Sequence, residues 1–408
     1  MDVIIDTITS DPLVIIIPFI AGVVGWFTNV VAVKMMFYPL SFVGIPPIFG
    51  WQGVVPANAR ELASKSTDII TTKLINLRMV FEQFDAEGFS GNLDTALDEL
   101  TDEIIAETAE KYAPDQWKQM PDPVKAQIRT MLRSEIKAVS VKILADMGDC
   151  IEDLIDLKEI VIESVHRDRA LIGEMFQTTG SEEFKFIKIS GLYFGFLFGV
   201  VQLFVWLVYP AWWVLPFFGF FVGYVTNWLA IKLIFQPAEP MKIGPLTIQG
   251  LFHKRQKEVA REFANMVSRD ILNTDNMVEQ MSTGKAGAKL YSIVEEHIGE
   301  LLEKYQKNPM TAALAPGADW DEIRSEINAR IREELPKPGG FLYIFVGRAI
   351  DVYGELLDRM TALDSKSFEG VLRPAFQKDE WKLIVAGGAL GFGAGVLQVV
   401  YLFGDQVT

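Results

Sequence analysis

The stretch Gly25-Trp26-Phe27-Thr28-Asn29-Val30-Val31-Ala32-Val33-Lys34-Met35-Met36-Phe37-Tyr38-Pro39 decides the fold, because it returns later in the chain. Gly25, Thr28, Asn29, Ala32, Lys34, Phe37 and Pro39 recur as Gly223, Thr226, Asn227, Ala230, Lys232, Phe235 and Pro237. All seven identities share one offset of 198 residues. Chance is a poor explanation for that, so the chain reads as a duplication. Each copy lies in an apolar run long enough to cross a bilayer core, which needs about 20 residues.

The repetition extends outward. Gly191, Gly195 and Gly199, followed by Gln202, match Gly387, Gly391, Gly395 and Gln398 at an offset of 196. Gln52-Gly53 and Glu61 match Gln249-Gly250 and Glu258 at an offset of 197. Each half reads as a span, a short loop, a polar segment and a second span. Two spans per half is an even number, so both halves insert with the same orientation, as parallel repeats about an axis along the membrane normal. The expected fold is an all-α integral membrane protein: four transmembrane helices in two parallel repeats, each carrying a helical cytoplasmic domain. By residue number, a tail (1–11) leads to the first span (12–37), an interfacial loop (38–56) and the first cytoplasmic domain (57–185). The second and third spans (186–209 and 211–236) follow, then a second loop (237–252) and domain (253–381), the fourth span (383–403) and a tail (404–408). Both loops are rich in Pro and Gly and nearly uncharged, which suits small β-hairpins at the membrane interface.

Composition narrows the function. Among 408 residues, 53 acids face 38 basic residues, a net charge of −15, which removes the basic face that nucleic acid requires. Cys150 is the one cysteine, so no internal disulfide framework exists. His166, His253 and His297 lie too far apart for a metal-ligand motif. No phosphate-binding loop, zinc motif or nucleophile elbow is present, so neither an enzyme nor a cofactor or metal is expected. The tail before the first span has acids but no Lys or Arg, so that span reads as a permanent anchor and not a cleaved signal. Basic residues set orientation. Lys34, Arg60, Lys185, Lys188, Lys232, Lys242 and Lys382 fall on one side, and both tails and the Val208–Ala211 turn have none. Both polar segments are therefore expected in the cytoplasm and both termini outside.

Two readings stand for the Thr28-Asn29 and Thr226-Asn227 pairs. Gly25, Thr28 and Ala32 share a helical face, as do Gly223, Thr226 and Ala230. Small residues let backbones approach and an amide then bonds across the contact, with Asn29 facing Asn227 between the first and third spans. The rival reading is a polar track for an ion, a proton or a lipid headgroup. Lys34 and Lys232 snorkel to the interface or hold a lipid phosphate. The ladders Gly191, Gly195, Gly199 and Gly387, Gly391, Gly395 pack helices within one chain or between chains. Lys254, Arg255 and Lys257 form a basic cluster suited to headgroup contact. In the polar segments, Val124, Ile128, Met131, Leu132, Ile136, Val139 and Ile143 keep helical spacing, as do Ile323, Ile327, Ile331 and Leu335. Asp319 and Glu322 resemble a capping box, and Asp85–Asn92 reads as a turn.

The motif G-x-x-T-N-x-x-A-x-K-x-x-F-x-P, followed by Q-G and then E-[LV]-A, resembles a bacterial membrane family catalogued as domain of unknown function family 445. Phe368 to Trp381, before the glycine-rich last span, resembles that family's C-terminal end. The resemblance implies a bacterial inner-membrane protein with helical cytoplasmic domains, and it implies no activity. The sequence thus reads as a non-enzymatic scaffold in the inner membrane, with cytoplasmic helices that bind a protein partner or membrane lipid, alone or as a homo-oligomer. An oligomeric transporter or channel working through the Thr-Asn pairs is the alternative.

Overall fold

The computed structural model describes residues 12–45, 49–82, 86–168, 170–309, 318–373, 377 and 380–403. The two tails, 1–11 and 404–408, lie outside these residues. Eight described helices run for fifteen residues or more: α1 (Ile17–Phe37), α2 (Ala86–Tyr112), α3 (Asp122–Asp149), α4 (Ser181–Val208), α5 (Val214–Phe235), α6 (Gly284–Gln306), α7 (Trp320–Glu334) and α8 (Glu380–Leu402). Two antiparallel hairpins, β1 (Val43–Ile45) with β2 (Phe49–Trp51) and β3 (Met241–Ile243) with β4 (Leu246–Ile248), follow α1 and α5. The β3–β4 turn is Gly244-Pro245, and Gly244 takes φ +62, which glycine adopts without strain.

Contacts divide the chain into two units. The first holds Met1–Ile70, Val161–Met266 and Leu356–Thr408, and the second Thr71–Ile160 and Val267–Glu355. In the first unit, α1, α4, α5 and α8 are long and apolar enough to span a membrane. Their side chains are sorted in the way lipid demands. Phe19, Leu197, Phe204 and Tyr401 are exposed, whereas Thr28, Asn29, Thr226, Asn227, Gln202 and Gln398 are buried. With hydrocarbon outside there is no reason to bury large apolar groups, and small and polar residues fill the contacts instead. Spans α4 and α8 start earlier than their apolar runs, because Ser181 and Glu380 begin the helix one polar turn sooner.

Helix α1 packs along α4, and α5 along α8. The glycine ladders make both contacts. A Cβ on Gly25 would collide with the Gly191 carbonyl, and one on Gly223 with the Gly387 carbonyl. Gly195 and Gly199 meet the backbone of Ala21 and Pro18, and Gly395 that of Leu215 and Pro216. At one end of the bundle, Val14, Ile17, Trp206, Leu207, Val214, Leu215 and Phe403 form an apolar plug.

In the second unit, α3 packs against both α2 and α6, and α6 against α7. Helix α3 comes from the first polar segment and α6 from the second, so the two segments pack together. The expected turn at Asp85–Asn92 is corrected, since α2 is already helical from Ala86. Gly88 and Gly91 sit in its first two turns, where each costs roughly 1 kcal/mol of propensity, too little to stop a helix of this length. Asp319 caps α7 by accepting from the Asp321 and Glu322 amides. The reciprocal half of the expected box is replaced by an ion pair from Glu322 to Lys111. Of the α3 stripe, Ile143 is buried, whereas Val124 and Met131 are exposed.

Candidate functional site

The Thr-Asn pairs lie inside the span bundle. The Asn29 amide donates to the Ile187 carbonyl at 2.6 Å, and the Asn227 amide to the Leu383 carbonyl at 3.1 Å. Each amide therefore ties α1 to α4, or α5 to α8, through the backbone carbonyl of the neighbouring helix. The expected facing of Asn29 and Asn227 is not found. The link between α1 and α5 is instead Thr226 Oγ1 donating to Asn29 Oδ1 at 3.3 Å. The reason is steric: the glycine ladder brings a helix backbone within reach of each amide, and a backbone carbonyl is a fixed acceptor. Thr28 Oγ1 turns back to the Gly25 carbonyl at 3.1 Å. The sequence reading missed Gly219, whose added Cβ would strike the Gly391 carbonyl. The signal was there, since Gly219 and Gly223 are four residues apart.

After α1 and α5 the chain folds back in the same way twice. The Gly53 amide donates to the Pro39 carbonyl, and the Gly250 amide to the Pro237 carbonyl, both at 2.9 Å. Gln52 donates to Leu40 at 2.9 Å, and Gln249 to Ala238 at 3.2 Å. After α5, His253 Nε2 also bonds the Phe235 carbonyl at 3.1 Å. Burial holds His253 below the ordinary histidine range, against a smaller opposing effect of that carbonyl.

The basic cluster separates into two roles. Lys254 and Lys257 are exposed. Arg255 instead reaches Glu183 in the first turn of α4, with Nη1 donating to Oε1 at 2.9 Å and to Oε2 at 3.0 Å. Glu183 is 3% exposed, so this is a buried ion pair between the two sequence halves. Spacing alone could not have paired residues 72 apart. Lys34 and Lys232 are both exposed, and Lys232 Nζ lies 4.8 Å from the Trp228 ring centroid.

The second unit holds a cleft of about 590 Å³ among α2, α3, α6 and α7. Ile104, Ile128, Leu132, Ile136, Ile298 and Ile327 line it, and each is only half-buried. Around it runs a ring of charge. Arg133 pairs with Asp98 across α2 and α3 at 3.3 Å, Lys304 with Glu135 across α6 and α3 at 2.6 Å, Arg332 with Glu295 across α7 and α6 at 2.8 Å, and Arg330 with Glu103 across α7 and α2 at 3.4 Å. Exposed pairs of this kind contribute about 0–1 kcal/mol each. They set the spacing of the helices while the apolar side chains between them stay incompletely covered.

Four long apolar helices that bury amides and glycines and turn aromatics outward define a multi-span helical membrane protein. Within that class, the resemblance read from the motifs holds: the family model described as "Protein of unknown function (DUF445)" matches residues 218–371. Among curated proteins, a "UPF0754 membrane protein" of Anoxybacillus flavithermus is 32% identical over 89 residues, 21% of this chain and 24% of its own length. One from Shouchella clausii is 30% identical over 102 residues, 24% of this chain and 26% of its own length. The chain thus spans about a quarter of the length of the curated relatives it matches. No solved structure matches it.

Proposed function

We propose that the protein is a non-enzymatic scaffold of the bacterial inner membrane whose helical unit holds the hydrocarbon chain of a lipid. Its four spans form a parallel duplication, its polar helices lie in the cytoplasm, and its termini lie outside. The shared packing of α1 on α4 and α5 on α8 supports the duplication, and the basic residues at one end of every span support the orientation.

The apolar cleft carries the reading. Its volume of about 590 Å³ falls in the range of roughly 300–1,000 Å³ common for small-ligand sites. A helix with side chains is about 10–12 Å across and would place only one face in a cleft of this size. A single hydrocarbon chain fits. The amides of Asn29 and Asn227 both donate to backbone carbonyls, which favours packing over a polar track and makes transport through them the weaker reading.

The test is binding of cis-parinaric acid to full-length protein in nanodiscs. Saturable binding is expected, weakened about tenfold by Leu132→Arg at unchanged helicity, since a charge in an apolar site is strongly disfavoured. Equal binding by that variant, or no binding by the native chain, refutes the proposal.

A further inference from the structure

We infer that the end of α5 carries a binding site for the phosphodiester of a glycerophospholipid. The site lies in the first unit and is independent of the hydrocarbon cleft.

A pocket of about 920 Å³ opens there, lined by Lys232, Lys366 and Arg373 beside Trp228 and Glu369. A second lobe of about 280 Å³ shares Trp228, Lys232 and Arg373 and continues between Ile231 of α5 and Ile384 of α8, with Glu380 at its edge. Among the described residues, three cations face two carboxylates, which leaves one positive charge. A phosphodiester carries one negative charge. Glu369 is already committed, because it pairs with Arg373 and lies 3.5 Å from His253 Nε2. Arg373 stacks its guanidinium 5.5 Å from the Phe235 ring centroid, and its Nε is buried with no acceptor. A guanidinium fixed at the pocket wall suits a phosphate oxygen, and two exposed lysines at the rim add charge.

The shape completes the case. Lys232 and Lys366 are exposed at the mouth, and Trp228 holds Lys232 through its ring face. The smaller lobe leads from the cations along apolar side chains of two spans, which is where the acyl chains of a headgroup-bound lipid must lie. The first half keeps Lys34 in the place of Lys232 but lacks Arg373 and Glu369. At the repeat offsets of 196 and 197, Arg373 answers to Gln177 or Phe176, and Glu369 to Gly173 or Ile172. Sequence reading singled out Lys232 but not Lys366 or Arg373, which lie more than a hundred residues away on another helix.

The experiment is native mass spectrometry of the full-length protein in mild detergent, titrated with dioleoylphosphatidylglycerol. One saturable lipid is expected. The double variant Lys232→Gln, Lys366→Gln should bind about tenfold more weakly, as expected for loss of charge-assisted contacts. Thermal unfolding should not change, because both side chains are exposed. Lys34→Gln, at the matching place in the first half, should bind like the native chain. Phosphatidylethanolamine should compete and diacylglycerol should not, since the shared phosphodiester is what is recognised. Unchanged binding by the double variant, equal loss in Lys34→Gln, or competition by diacylglycerol overturns the site. Displacement by excess inorganic phosphate overturns the lipid assignment in favour of a free-anion site.

Discussion

Replacing Arg255 by Met tests the pair that joins the two sequence halves. The substitution keeps the length of the side chain and removes its charge. Glu183, 3% exposed, then loses the donor that bonds both of its carboxylate oxygens. Breaking a fully buried pair costs about 3–5 kcal/mol, because the remaining charge is left uncompensated. The Arg255 side chain keeps 22% of its surface in contact with solvent, so water partly screens the site and the lower end, about 3 kcal/mol, applies. For units of roughly 150–250 residues, each kcal/mol moves Tm by about 2–4 °C, which gives a fall of about 6–12 °C. The assay is thermal unfolding followed by intrinsic fluorescence in mild detergent. Adding Glu183→Met should restore most of the loss, since apolar replacement of a buried pair is often neutral. A single variant within about 1 °C of the native chain refutes the reasoning, as does a double variant no better than the single one. If Arg255 instead served lipid headgroups, lipid retention would fall at unchanged Tm.

Asn29→Leu and Asn227→Leu should each insert normally and lose about 0.6–1.7 kcal/mol in a denaturant titration, the range found for polar contacts between membrane helices. The larger loss belongs to Asn29, which bonds both Ile187 and Thr226. Gly223→Val drives a side chain into the Gly387 carbonyl and should cost about 1–3 kcal/mol, whereas Gly393→Ala, with open space around it, should be neutral or slightly stabilising. Tm measurements on the two variants separate close packing from helix propensity. Burial lowers the pKa of His253 from 6.5, so the unfolded chain takes the proton first. Stability is full above that ordinary value and declines as pH falls below it. A pH series of Tm should show this decline in the native chain and a shallower one in His253→Gln.

The spans were legible because lipid imposes a long, continuous signal, and the Gly-x-x-x-Gly ladders named the surfaces that meet. The hairpins were legible from Pro and Gly in uncharged loops. What stayed hidden was partner choice across distance. Nothing in the spacing of Asn29 says that its acceptor is the Ile187 carbonyl, because backbone carbonyls leave no mark in sequence. The Arg255–Glu183 pair and the Lys232, Lys366, Arg373 cluster each join residues from separate helices. The apolar stripes of α3 and α7 predicted helices correctly, but periodicity alone does not report whether facing stripes close on each other or leave a cleft. Gly88 and Gly91 misled for a different reason, since their breaking tendency was outweighed by the helix that follows.

The second unit draws its helices from Thr71–Ile160 and from Val267–Glu355, and two membrane spans are made between them. During synthesis, α2 and α3 are complete while α6 and α7 have yet to leave the ribosome. Their apolar stripes face water through that interval, and closure waits on contacts of long sequence separation, which form slowly. Neither of these two chain segments can finish this unit alone. A gene split between α4 and α5 would yield two membrane-inserted fragments, each with half of a ring, whose folding becomes an encounter between molecules in the plane of the bilayer.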